Sequence, residues 1–117
     1  MKKVTDESRQ LALLCRAAAE DKKALDCTLL DVRGISSFTD YLLICSAASE
    51  PQLKAIANEV VAQARDELGR SPYGRDGAPV SQWIVVDFGD VSVHMFHESR
   101  RHFYRLEELW NDAPRVK

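Results

Sequence analysis

Apolar and polar positions along this chain repeat with two different periods, and the change of period marks out the elements. From Ser8 to Asp21 the apolar residues Leu11, Leu14, Cys15 and Ala18 recur at helical spacing, which predicts an amphipathic helix with one face on a core. Asp26–Val32 reads as a strand, and Tyr41–Ser46 (YLLICS) as a second strand apolar enough to be buried. The helical period returns with Leu53, Ile56, Ala57, Val60, Val61, Ala64 and Leu68. Ser49 is its N-cap, Gln52 three residues on completes a capping box, Pro51 is tolerated in the first turn, and Gly69 stops the helix. Lys54, Asn58, Glu59 and Arg65 then make a solvated side.

Strict alternation appears in Trp83–Phe88 and Val91–Phe96, with Gly89-Asp90 between them. A two-residue connection with Gly first fits a primed hairpin turn, since Gly accepts φ > 0 without a Cβ clash. That turn sets Phe88 opposite Val91 and fixes the whole register. Ile84, Val86 and Phe88 then share an apolar face with Val91, Val93 and Met95. The other face sets Trp83 opposite Phe96, Val85 opposite His94, and Asp87 opposite Ser92. It is too aromatic for plain solvent and too polar for a core, so it reads as a surface to be covered. Arg70–Ser81 holds two of the five Gly and two of the four Pro, and reads as the one long loop, a mobile connector. Glu98–Trp110 predicts a last helix with Phe103, Leu106 and Trp110 inward and Tyr104, Glu107 and Glu108 to one side. Arg115–Lys117 reads as a frayed tail.

The picture is an α/β fold, a β-sheet flanked by helices, in a single domain spanning 1–117 with its core at about 8–110. No apolar run is long enough for a membrane helix, and the start MKKVTDESRQ turns polar and acidic at once, unlike a leader, so the expected location is cytoplasmic. The net charge of −2 argues against a general nucleic-acid binder. Cys15, Cys27 and Cys45 are odd in number and lie among apolar residues, which suits buried free thiols.

Candidate chemistry is thin. A strand, a Ser-rich turn and Asp40 are the start of a nucleotidyltransferase site, but Tyr41-Leu42 follow where a second carboxylate is needed for Mg²⁺. That enzyme reading survives only if Asp31 meets Asp40 in space. His94, His97 and His102 lack neighbouring cysteines for a tetrahedral metal set, and neither metal nor cofactor is expected. Arg100, Arg101 and Arg105 surround His102, Phe103 and Tyr104 in a basic-aromatic cluster that suits RNA, yet Glu98, Glu107 and Glu108 can pair with it along a helix. Trp83, Asp87 and Tyr104 have the composition of a protein-binding hot spot for a basic partner.

The pattern W-x-x-x-D-x-G-D-x-x-V-H, followed by E-x-x-R-x-x-Y-x-L-E-x-L-W, resembles the ribosomal silencing factor (Iojap-like) family. It is carried here by Trp83, Asp87, Gly89, Asp90, Val93, His94, Glu98, Arg101, Tyr104, Leu106, Glu107, Leu109 and Trp110, with L-D-V-R-G-I-S-S-F-T-D-Y at Leu30–Tyr41. The resemblance implies a mixed sheet of nucleotidyltransferase-like topology without that catalysis. It also implies binding to the large ribosomal subunit through its L-fourteen protein, a steric block to subunit joining, lower translation under nutrient limitation, and a homodimer when free. Carried onto this chain, it makes Trp83 and Ile84 apolar anchors, Asp87 the acceptor for a Lys or Arg, Tyr104 a flanking contact and Glu107 a second acidic contact. A peripheral rRNA contact is an alternative for the arginines.

Overall fold

The computed structural model describes residues 2–78, 80, 82–104 and 110–117, apart from the side chains of 2–6 and 102–104. In chain order the elements are α1 (Lys2–Asp21), β1 (Leu25–Asp31), β2 (Tyr41–Ala47), α2 (Glu50–Leu68), β3 (Gly74–Ala78), β4 (Trp83–Asp87), β5 (Val91–His97) and α3 (Glu98–Tyr104). The strands make one mixed sheet in the order β1-β2-β5-β4-β3. β2 and β5 run parallel at its centre, and each other neighbouring pair is antiparallel. Parallel neighbours need a long crossover, and α2 with β3 and β4 supplies it. The chain is thus α/β, as its hydrophobic periods predict. Among the described residues no helix is long and apolar enough to cross a membrane.

α1 and α2 lie side by side over one face of the sheet. Leu11, Cys15 and Ala18 of α1 and Leu53, Ile56, Val60 and Ala64 of α2 are buried against Leu43, Ile84, Val86, Val93 and Met95. Burial pushes the Cys15 thiol up to about 12, so it stays protonated. Cys45 is buried too, whereas Cys27 is only half-buried. The start of α2 is fixed twice. Ser49 Oγ accepts from the Gln52 N–H at 3.2 Å, and Gln52 Oε1 accepts from Ala48 N–H at 2.7 Å, one residue earlier than a standard capping box. The Gln52 amide then donates to the Lys22 and Lys23 carbonyls at 3.1 and 2.9 Å, tying α2 to the end of α1. Gly69 closes the helix at φ 63°, the left-handed conformation expected of a C-terminal stop.

The hairpin of β4 and β5 has the register its turn dictates: Trp83 faces Phe96, Val85 faces His94, and Asp87 faces Ser92. Gly89 takes φ 91°, and Phe88 N–H donates to Val91 O at 2.9 Å. Asp90 anchors this turn to α1, to the segment after α2 and to the start of β2. Ser8 Oγ and Arg70 Nη2 each donate to its carboxylate at 2.7 Å, and its carbonyl accepts from the N–H groups of Asp40 and Tyr41 at 2.9 and 3.1 Å. Burial alone would raise the Asp90 pKa, but the hydrogen bonds from Arg70 and Ser8 outweigh it and hold the carboxyl below its usual range.

Two expectations at the sheet edges need correction. The 70–81 stretch is not a loose connector throughout, because Gly74–Ala78 forms the edge strand β3 against β4. Its five residues are all exposed, so no apolar alternation announces it; the ladder is made by backbone alone. Gly77 sits at φ 86°, where a Cβ would run into the Trp83 carbonyl, so glycine here is what lets the strand close on β4. Nor is 115–117 a frayed tail. Asp31 N–H donates to Pro114 O and Val116 N–H to Leu29 O, both at 2.8 Å, and Arg16 holds the Val116 and Lys117 carbonyls at 2.8 and 2.7 Å. The outward backbone groups of edge strand β1 demand partners, and the C-terminus provides them.

Candidate functional site

The second face of the sheet is only partly covered. Register sets its residues in three rows: Trp83, Phe96 and Ser46; Val85, His94 and Ile44; Asp87, Ser92 and Leu42. Leu30, Val32, Leu42, Ile44 and Phe96 form a small cluster with Ala113, and Trp83 and Trp110 pack partly against it. Towards β4 the face opens, leaving Trp83, Val85, Ser92 and His94 half-buried and Asp87 exposed. This is the surface the alternation marks as needing a cover.

Trp83 is held in one orientation. Its ring stacks on Phe96 with centroids 5.1 Å apart and planes 27° from parallel. Its indole Nε1–H donates to His94 Nδ1 at 3.3 Å. An indole nitrogen only donates, so Nδ1 must carry a lone pair and the imidazole proton sits on Nε2, 3.3 Å from Ser92 Oγ. The neutral ring fits its surroundings, since burial pushes the His94 pKa down to about 4, with Asp87 partly opposing. His94 is thus a hydrogen-bonded residue of β5.

Asp87 Oδ1 accepts the Gly89 N–H at 2.8 Å, bracing the turn while the carboxylate stays exposed. Between β4–β5 and the loop that joins β1 to β2 lies a cleft of about 270 Å³. Val32, Phe38, Leu42 and Trp110 line it with apolar surface, and Ser36, Thr39, Asp87, Ser92 and His94 add polar groups.

The structure separates the sequence-predicted contacts. Trp83 and Asp87 share the open face, as expected. Ile84, expected as a second apolar anchor, needs correction: strand alternation turns it to the opposite face, where it is fully buried beneath the helices and out of reach of a partner. Tyr104 ends α3, and its side chain lies outside what is described, as does the whole of Glu107. Sequence reasoning missed Asp76, which register pairs with Val85 and so brings to the open face as a second acid beside Asp87. Its signal was hidden in a segment that reads as loop.

The competing chemistries fare differently. Asp31 does not turn to a metal with Asp40; Arg33 takes both its oxygens, at 2.8 and 2.6 Å, and these bonds depress its pKa. The basic cluster is split. Arg101 is buried, donating to the Asp26 carbonyl at 2.6 Å and to Ser46 Oγ at 3.0 Å, so it clamps α3 to β1 and β2. Arg100 stays exposed and donates to Gln82 Oε1 at 2.7 Å, while Arg105 lies outside the described residues.

Comparison with known proteins gives consistent matches. A family model described as "Ribosomal silencing factor during starvation" matches residues 5–117. The Bacillus subtilis (strain 168) protein named Ribosomal silencing factor RsfS is 44% identical over 106 residues, spanning 91% of this chain and 89% of its own. A crystal structure from Chromobacterium violaceum superposes with a TM-score of 0.83 at 32% identity, over 88% of this chain and 85% of that one. Another, from Bacillus halodurans, gives 0.80 at 39% identity, over 93% and 98%.

Proposed function

The chain belongs to the ribosomal silencing factor family, and on that premise we propose that it silences ribosomes by occupying the large subunit. In this reading residues 1–117 act as one cytoplasmic domain that binds the L-fourteen protein, blocks subunit joining sterically and lowers translation when nutrients are scarce. No bond is made or broken, so the chain is not an enzyme.

The observation that carries this reading is the pairing, on one partly covered sheet face, of a fixed aromatic ring with an exposed carboxylate. Trp83 is immobilised by Phe96 and His94 before any partner arrives, so little side-chain entropy is lost on contact. Asp87, two rows away along the strand pair, offers an acceptor to a Lys or Arg of a basic ribosomal protein. Tyr104 and Glu107 remain proposed flanking contacts, and Asp76 joins them from β3. Of Arg100, Arg101 and Arg105, Arg100 is the described one left at the surface for a peripheral rRNA contact. The free chain is proposed to be a homodimer.

Co-sedimentation with isolated large subunits, small subunits and assembled ribosomes tests the reading. The expected result is binding to large subunits only, loss of binding in Trp83→Ala with the far-UV spectrum unchanged, and failure of subunits to join. Binding to none of the three particles overturns it.

A further inference from the structure

The cleft beside Asp87 is lined by Asp87 and His94 but not by Trp83, so it extends the open face beyond the proposed Trp83–Asp87 contact. We infer that it is a socket for one large apolar side chain of the partner, presented next to a Lys or Arg that pairs with Asp87. The inference rests on the proposed protein-binding role and specifies the chemistry of the segment that this face accepts.

Four observations carry it. At about 270 Å³ the cleft falls just below the ~300–1,000 Å³ of typical small-molecule sites, which suits a side chain better than a cofactor. Apolar surface from Val32, Leu42 and Trp110 makes up most of its lining, with Ser36, Thr39 and Ser92 interspersed, which favours an apolar group over a polar one. Phe38, at its lip, is 85% exposed. That residue is not on a slack loop, because Ser36 Oγ accepts the N–H groups of Phe38 and Thr39 at 3.0 and 3.3 Å, and Val32 O accepts those of Ile35 and Ser36. The turn is fixed while the Phe38 ring stays in water beside the cleft, so a partner can cover that ring without reordering the loop.

Charge decides between occupants. The margin carries the carboxylate of Asp87, while His94 beside it is neutral. A second copy docking through the same patch by two-fold symmetry would bring one Asp87 towards another, which is repulsive. A cationic segment is complementary. The occupant is therefore an apolar residue flanked by Lys or Arg in the basic partner protein.

Affinity for isolated large subunits, measured at one fixed salt concentration, tests this with three variants. Phe38→Ala removes the lip, Ser92→Leu fills the cleft from β5, and Trp83→Ala reports on the broader reading. The expected result is binding about tenfold weaker for each of the first two, with unchanged thermal stability for Phe38→Ala. Wild-type affinity in both cleft variants, with Trp83→Ala still defective, overturns the socket and leaves the proposed function standing. Should the wild type bind no ribosomal particle, the proposed function fails, and the socket is decided alone by an NMR titration with acetyl-Leu-Lys-amide and acetyl-Leu-Glu-amide. Saturable shifts at the amides of Phe38, Asp87 and Ser92 with the Lys peptide only would sustain it. No shifts, or equal shifts with both peptides, overturn it. Conversion of a dimer to a monomer by Ser92→Leu, seen by sedimentation velocity, would also overturn it by making the occupant a second copy.

Discussion

Under α1 and α2, the residues Ile84, Val86, Val93 and Met95 are fully buried, while their strand neighbours Val85, Asp87, Ser92 and His94 on the opposite face keep contact with solvent. The same two strands thus serve two purposes, one residue out of phase. The helix-covered side is a continuous apolar core whose neighbours fill every position. The open side mixes aromatic, acidic and hydroxyl groups in a fixed hydrogen-bonded arrangement, and places a cleft at its margin. What separates them is what completes them: residues of this chain on one side and, in the proposed function, another molecule on the other.

The sharpest way to break this comparison is to truncate adjacent residues on β4. Ile84→Ala leaves a void under the helices and is expected to cost roughly 2–5 kcal/mol in urea unfolding. Val85→Ala should cost less than about 1 kcal/mol, because the side chain is already partly hydrated. Equal losses for the pair would mean that the open face is a second core.

Acid titration gives the next largest effect. The folded-state pKa of His94 lies at about 4, below the ordinary 6.5, so the unfolded chain takes up its proton first as the pH falls. The stability tied to the neutral ring is whole above pH 6.5, declines between about 6.5 and 4, and falls no further below that. The total from this group is on the order of 3 kcal/mol. Asp31 and Asp90, held below 3.8 by their arginine partners, weaken the fold only at more acid pH. Urea midpoints followed from pH 7 to 4.5 should therefore slope downward for the wild type and flatten in His94→Gln. A mutant slope as steep as the wild type would place the protonation elsewhere.

Arg101 tests whether the open face is set up from behind. Arg101→Met keeps the apolar stem but strips the hydrogen bonds to the Asp26 carbonyl and Ser46 Oγ. The expected cost is about 2 kcal/mol, with faster amide exchange in α3. Unchanged stability together with a shallower salt dependence of ribosome binding would instead return Arg101 to the nucleic-acid reading.

The limits of sequence reading follow the same division of labour. The hairpin was legible to the individual pair, because a two-residue turn leaves no freedom of register and each apolar residue then declares its face. Both long helices were legible through side-chain period, and α2 through its caps as well, whereas α1 begins at Lys2, ahead of the apolar stripe that marked Ser8–Asp21. β3 was not, because an exposed edge strand made by backbone bonds carries no side-chain pattern, and with it went Asp76. Arg101 and the C-terminal tail were missed for a related reason: each satisfies carbonyls or N–H groups of β1, and the demand of a sheet edge for partners leaves no mark in local sequence. Ile84 shows the reverse fault. Alternation already placed it inward, and only the family resemblance made it a contact.

Asp87→Asn sharpens the comparison at its finest point, because it should divide binding from stability almost completely. The amide keeps an Oδ1 acceptor for the Gly89 N–H, so the turn is retained and the change in unfolding free energy should stay within about 0.5 kcal/mol. Losing the negative charge removes the acceptor for a partner cation, and affinity for large subunits should drop tenfold or more if this is a hot-spot contact. Salt adds a check, since the wild type should weaken as ionic strength rises while the variant responds less. A variant that unfolds would make the carboxylate a structural brace for the turn. One that folds and binds normally would leave the open face without its electrostatic half and shift the burden of recognition to Trp83 and the cleft.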